Sequence, residues 1–159
     1  MKKFALLIAL CISIFAVSYA QEPSNVELKV KEIVKRYKSV KGVDSMTAVK
    51  GRGLEMIKLM FNKQFGKDFM SGVKSITIIN YTDASPEVCQ ALHQEVDTLA
   101  SSLEELKSDN SNGDSEYSYA RTFASSSENN KISDFIIALE SNESKIIMYM
   151  AGDIGLKKQ

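Results

Sequence analysis

Hydrophobic positions in this chain follow two periods, and the switches between them mark out its elements. Val26, Val30, Ile33, Val34, Tyr37 and Val40 recur at helical spacing, with Lys29, Lys31, Glu32, Lys35 and Arg36 mostly on the other side. Ser24 followed three residues later by Glu27 reads as a capping box that opens this helix, and Gly42 stops it. From Val43 to Lys50 the period becomes two, with Met46 and Ala48 on one face and Thr47 and Val49 on the other, as in a short strand. Gly51 and Gly53 turn the chain into a second helix carried by Leu54, Ile57, Phe61 and Phe65, its stripe widened by Met56 and Met60 and ended by Gly66 or Gly72.

The isoleucine-rich run from Val73 to Tyr81 predicts an inner strand covered on part of both faces. Ser85 and Pro86 suit the cap and first position of a third helix, whose stripe is Val88, Leu92, Val96, Leu99, Leu103 and Leu106. A polar loop follows at 108–115, where Asn112-Gly113 suits a tight turn. Three strands are then predicted, roughly 116–124, 132–140 and 145–153, and their short links imply antiparallel hairpins.

One-sided helices beside a sheet are best buried as layers. The expected class is α+β: a two-layer sandwich with a mixed or antiparallel sheet of about five strands and three helices on one face. In it, the strand-helix-strand unit from Val43 to Tyr81 can be a parallel pair with a right-handed crossover, followed by an antiparallel meander of the last three strands. A ferredoxin-like arrangement is the nearest familiar architecture. Pro and Gly are too sparse to mark a linker, so residues 21–159 read as one domain.

The first twenty residues change the picture from fold to compartment. Lys2 and Lys3 precede an uncharged apolar run from Phe4 to Val17, and Ser18 and Ala20 place small residues where a signal peptidase reads. The run is shorter than the ~20 residues of a spanning helix, so it reads as a cleaved signal with its cut after Ala20. Cys11 does not suit lipidation: bulky Leu10 precedes it and the apolar run continues past it. The expected product is a soluble exported protein, periplasmic or secreted, with no transmembrane helix.

Loss of Lys2 and Lys3 leaves 18 basic and 20 acidic residues, a net charge of −2. That balance implies no nucleic-acid partner, and the cluster Lys35, Arg36, Lys38 and Lys41 reads as a solvated helix face. Cys89 is the sole cysteine of the mature chain and His93 the sole histidine. Four residues apart on one helix, they are candidates for a thiolate-imidazole pair or half a metal site. The stripe centred on Leu92 instead puts Cys89 on its flank and His93 at the solvent boundary, with Asp97 farther out. Met148 and Met150 share one strand face and are candidate soft ligands, yet two thioethers without a third suit core packing better. No Gly-x-Ser-x-Gly elbow, phosphate loop or marked carboxylate pair occurs. No catalytic residue, cofactor or metal is therefore expected.

A signal peptide, a first helix ending in Lys41-Gly42-Val43, a Met-rich helix and a closing strand Ile147-x-Tyr149-x-Ala151-Gly152-Asp153-Ile154 together resemble domain of unknown function family 4252. The resemblance implies a small exported Bacteroidetes envelope protein and supplies no catalytic residues. Many members of that family appear as lipoproteins, from which the missing lipobox departs. In such a host, Asp44-Ser45-Met46 resembles an O-glycosylation signal at Ser45. The expected function is a non-enzymatic module that binds another envelope protein through an exposed sheet face or edge. The alternative is a periplasmic carrier of a small molecule or lipid, held between the second helix and the sheet.

Overall fold

The computed structural model describes residues 23–106, 118–126 and 131–155. Helix α1 spans Asn25–Tyr37, and the Glu27 backbone N–H donates to Ser24 Oγ at 3.0 Å, supplying one of the orphan donors of the first turn. The Glu27 carboxylate turns to Lys31 instead, at 2.8 Å. Strand β1 (Asp44–Val49) leads into helix α2 (Gly51–Phe65), a short helix α3 (Lys67–Ser71) and strand β2 (Val73–Asn80). Helix α4 (Pro86–Ala100) is capped by Ser85, and β3 (Glu104–Glu105), β4 (Tyr119–Ala124), β5 (Lys131–Glu140) and β6 (Lys145–Gly155) follow. The strands form one six-stranded sheet in the order β1-β2-β6-β5-β4-β3, every neighbouring pair antiparallel.

The class is α+β with an antiparallel sheet, as the residue pattern predicts. Three details differ. The unit from Val43 to Tyr81 is antiparallel, not parallel, with Val49 opposite Ser75. Gly66 lies at φ +84°, a left-handed conformation that costs glycine little, and there it breaks the helical stretch into α2 and α3. The chain thus leaves and re-enters the sheet at the same end. This excursion also departs from the alternating β-α-β-β-α-β order of a ferredoxin-like fold.

The second difference concerns the faces. Helices α1 and α4 cover one face, burying Val26, Val30, Ile33, Leu92, Val96 and Leu99 against residues such as Ile79, Ile136, Ile147 and Tyr149. Helices α2 and α3 lie on the opposite face, where Leu54, Ile57 and Met70 meet Ile76, Phe135, Met148 and Met150. Strand β6 alternates between the two cores, because successive side chains of a strand point to opposite faces. Each Leu or Ile buried in this way contributes about 1.5 to 3 kcal/mol.

The third difference is at the end of α4. Its stripe continues in sequence to Leu106, but the helix stops at Ala100 and the Leu106 N–H donates to the Thr122 carbonyl at 2.8 Å. The segment has joined the sheet as β3, beside β4.

Candidate functional site

Cys89 and His93 both lie on α4, and the β5–β6 hairpin brings Glu140 and Lys145 to them from its two ends. His93 Nε2 is 2.6 Å from Glu140 Oε1, and the imidazole stacks on Tyr119 with ring centroids 4.4 Å apart. Tyr81 meets the same imidazole edge-on at 6.3 Å. Cys89 is buried; its thiol donates to the Ala84 carbonyl at 3.8 Å and lies 3.4 Å from Lys145 Nζ. The Tyr81 and Tyr119 hydroxyls are buried with no hydrogen-bond partner among the described residues. Burial, and then the negative charge of Glu140, raise the pKa of Tyr81.

These contacts fasten α4 to one end of the sheet. No group of three or more His, Cys, Asp or Glu side chains suited to a metal ion occurs among the described residues. A small void of about 10 Å³ lies elsewhere on this face, between Val30, Ile33, Leu99, Ile136 and Ile147. It has room for one water at most, and its walls are chiefly apolar.

Met148 and Met150 are buried in the second core, in the same apolar cluster as Met70, where all three fill space among Ile76, Phe135 and Ile154. Ser18 and Ala20 lie outside the described residues.

Two charged groups escaped the sequence reading. Asp134 is 3% exposed at the point where the β5–β6 register slips between Ile132 and Asp134. Its carboxylate accepts from the hydroxyls of Ser24, Ser133 and Tyr149, the last at 2.7 Å, so hydroxyl groups rather than a cation satisfy it. Through Ser24 it also ties the start of α1 to the sheet. Arg121 links Asp97 of α4 to Glu105 of β3 and lies over the Phe123 ring at 4.7 Å. An acidic residue among the isoleucines of β5 is the signal for Asp134; nothing local marks the partners of Arg121.

The surface feature that stands out is the solvent face of α2. Leu54, Ile57, Phe61 and Phe65 point to the sheet, while Met56, Leu59 and Met60 are 66%, 70% and 74% exposed on the opposite side. Exposed Arg52 and Lys63 flank the trio, and Glu55 is paired with Lys58 at 3.4 Å. On a one-sided surface helix the outer side is ordinarily polar, so three large apolar residues there stand out. Met46 and Val49 of β1 extend the exposed apolar surface of this part of the chain. Beneath α2 the layer is filled: Phe65 and Phe69 stack at 5.3 Å and both meet Phe135 edge-on. The open volume nearby, about 700 Å³, is a groove lined by side chains of both signs, among them Glu27, Lys50, Lys58 and Lys74.

No helix among the described residues is long and apolar enough to cross a membrane. Neither the curated proteins nor the solved structures yield a match to the chain. The sequence profile described as "Domain of unknown function (DUF4252)" matches residues 37–159, from the end of α1 through β6, and the chain therefore belongs to that family.

Proposed function

We propose that this protein is a non-enzymatic interaction module of the cell envelope, and that it inserts the outer face of α2 into an apolar groove of a partner protein. The observation that carries this reading is the trio Met56, Leu59 and Met60, exposed on a helix whose other side is already buried. Residues at i, i+3 and i+4 are the anchors by which a helix is read in a groove. Methionine suits that task, since its flexible thioether adapts to an irregular surface. Arg52 and Lys63 at the margins favour a groove with an acidic rim. Export through the leader at residues 1–20 would deliver the module to the envelope. The aromatic filling under α2 speaks against a ligand held between that helix and the sheet.

Complementation of a deletion strain tests the reading. Met56→Glu/Met60→Glu puts charge on the trio without touching the buried side, so the protein should accumulate normally and fail to complement. Full complementation at normal protein level would refute the role of this face.

A further inference from the structure

The two edges of the sheet are treated differently. At one edge, β3 is two residues long and both are glutamates, which hinders any further strand from pairing there. At the other, β1 is six residues long, exposed at every position but Ala48, and carries neither Lys nor Pro inside the strand. Its outer edge has no strand beside it among the described residues. An open edge of this kind is a template for another strand.

We infer that β1 pairs antiparallel with β1 of a second copy, about a two-fold axis through Thr47, joining the two sheets into one. Geometry restricts the register. Opposed residues of an antiparallel pair share a face, and a two-fold axis normal to the sheet preserves faces, so only registers in which a residue opposes its own copy are allowed. Centring on Thr47 sets Met46 opposite Ala48 and Ser45 opposite Val49, and brings Asp44 beside Lys50, the first residue past the strand, twice over by symmetry. Opposite charges thus meet at both ends of the pairing. Centring on Met46 would place Asp44 against Ala48 and lose both charge pairs. Centring on Ala48 would leave only residues 47–49 opposed strand to strand, because Lys50 and Gly51 lie past the end of β1 at φ of +65° and +75°; the Thr47 register opposes residues 45–49 and needs Lys50 only as a flanking charge.

The Thr47 register also extends a contact already present. Thr47 Oγ1 is 3.0 Å from Thr77 Oγ1 on the face shared with α1. The second copy continues this into a row of four threonines across the junction, a favourable cross-strand arrangement. On the other face Met46, 51% exposed, gains Ala48 of its partner.

This pairing is separate from the α2 reading, and the test keeps them apart. Sedimentation equilibrium of the purified mature chain should show a reversible dimer. Asp44→Lys should weaken the dimer about tenfold or more, since it sets like charges opposite at both ends. Asp44→Lys combined with Lys50→Asp should restore it. Met56→Glu/Met60→Glu should leave it unchanged. In the oxidised protein, Thr47→Cys should give a covalent dimer, because residues on the axis come within disulfide reach, while Glu32→Cys on α1 should not. A monomer at every concentration would overturn the inference. So would a dimer that survives Asp44→Lys, or one abolished by the α2 substitutions, which would assign the contact to the other surface.

Discussion

The Tyr149 hydroxyl donates a 2.7 Å hydrogen bond to the Asp134 carboxylate, and both residues are buried where β5 and β6 slip register. A buried carboxylate must keep its donors, so Tyr149→Phe should destabilise the protein by about 1.5 to 3 kcal/mol in urea melts. Ser24→Ala removes a second donor and the cap of α1 together. A double-mutant cycle between the two should give a coupling of at least about 0.5 kcal/mol, because both serve one carboxylate. Strict additivity would mean that they act independently.

Alkaline pH should weaken the fold through Tyr81 and Tyr149. Burial is the main cause that raises both, with the charges of Glu140 and Asp134 respectively acting in the same direction. A raised folded-state pKa means that the unfolded chain, with its ordinary value of 10.0, ionises first. The contribution is therefore complete below pH 10 and declines above it, by about 1.4 kcal/mol per pH unit for each tyrosine. Urea midpoints measured from neutral to alkaline pH check this, and Tyr149→Phe should make the decline shallower.

Leu99 is 2% exposed against the sheet, whereas Asp97 is exposed and paired with Arg121. Leu99→Ala should cost about 2 to 5 kcal/mol through lost burial and a residual cavity. Asp97→Ala should cost about 1 kcal/mol or less, as a surface ion pair contributes little. Equal losses in urea melts would contradict the register of α4.

Two glycine substitutions should act with opposite sign. Gly42 lies at φ +82°, and a Cβ there would stand 2.2 Å from the Asp83 carbonyl oxygen, so Gly42→Ala must displace backbone. A loss of at least about 2 kcal/mol is expected. Gly53 meets nothing within 4 Å and sits inside α2, so Gly53→Ala should be neutral or stabilising by up to about 1 kcal/mol. Thermal or urea melts of the pair decide it.

Much of this fold is legible in the residue pattern, because helix stripes and strand alternation are local. The caps at Ser24 and Ser85 and the stripe of α4 through Leu99 are examples. What was not legible depends on pairing across the chain. The second helix has a stripe like the others, and nothing in Leu54, Ile57 and Phe61 says which face of the sheet it will meet. Strand β6 carried the missing information: Ile147 and Tyr149 alternate with Met148 and Met150, apolar on both faces, which requires cover on both. Leu103 and Leu106 prolong a helical spacing that the chain abandons after Ala100. The exposed trio was hidden for a related reason. Met56 and Met60 read as a widening of the buried stripe, and only the position of the sheet separates them from it. Likewise, Cys89 and His93 were placed by the helix period, but their partners Glu140 and Lys145 come from a hairpin about fifty residues on.

Docking of α2 on a partner is measured most directly by site-specific photocrosslinking in living cells, with a photoreactive phenylalanine analogue at position 60 on α2 and, as control, at position 32 on the exposed side of α1. A discrete adduct with one envelope protein is expected from position 60, abolished by Met56→Glu and absent from position 32. No adduct at position 60, or the same adducts from both positions, would contradict it.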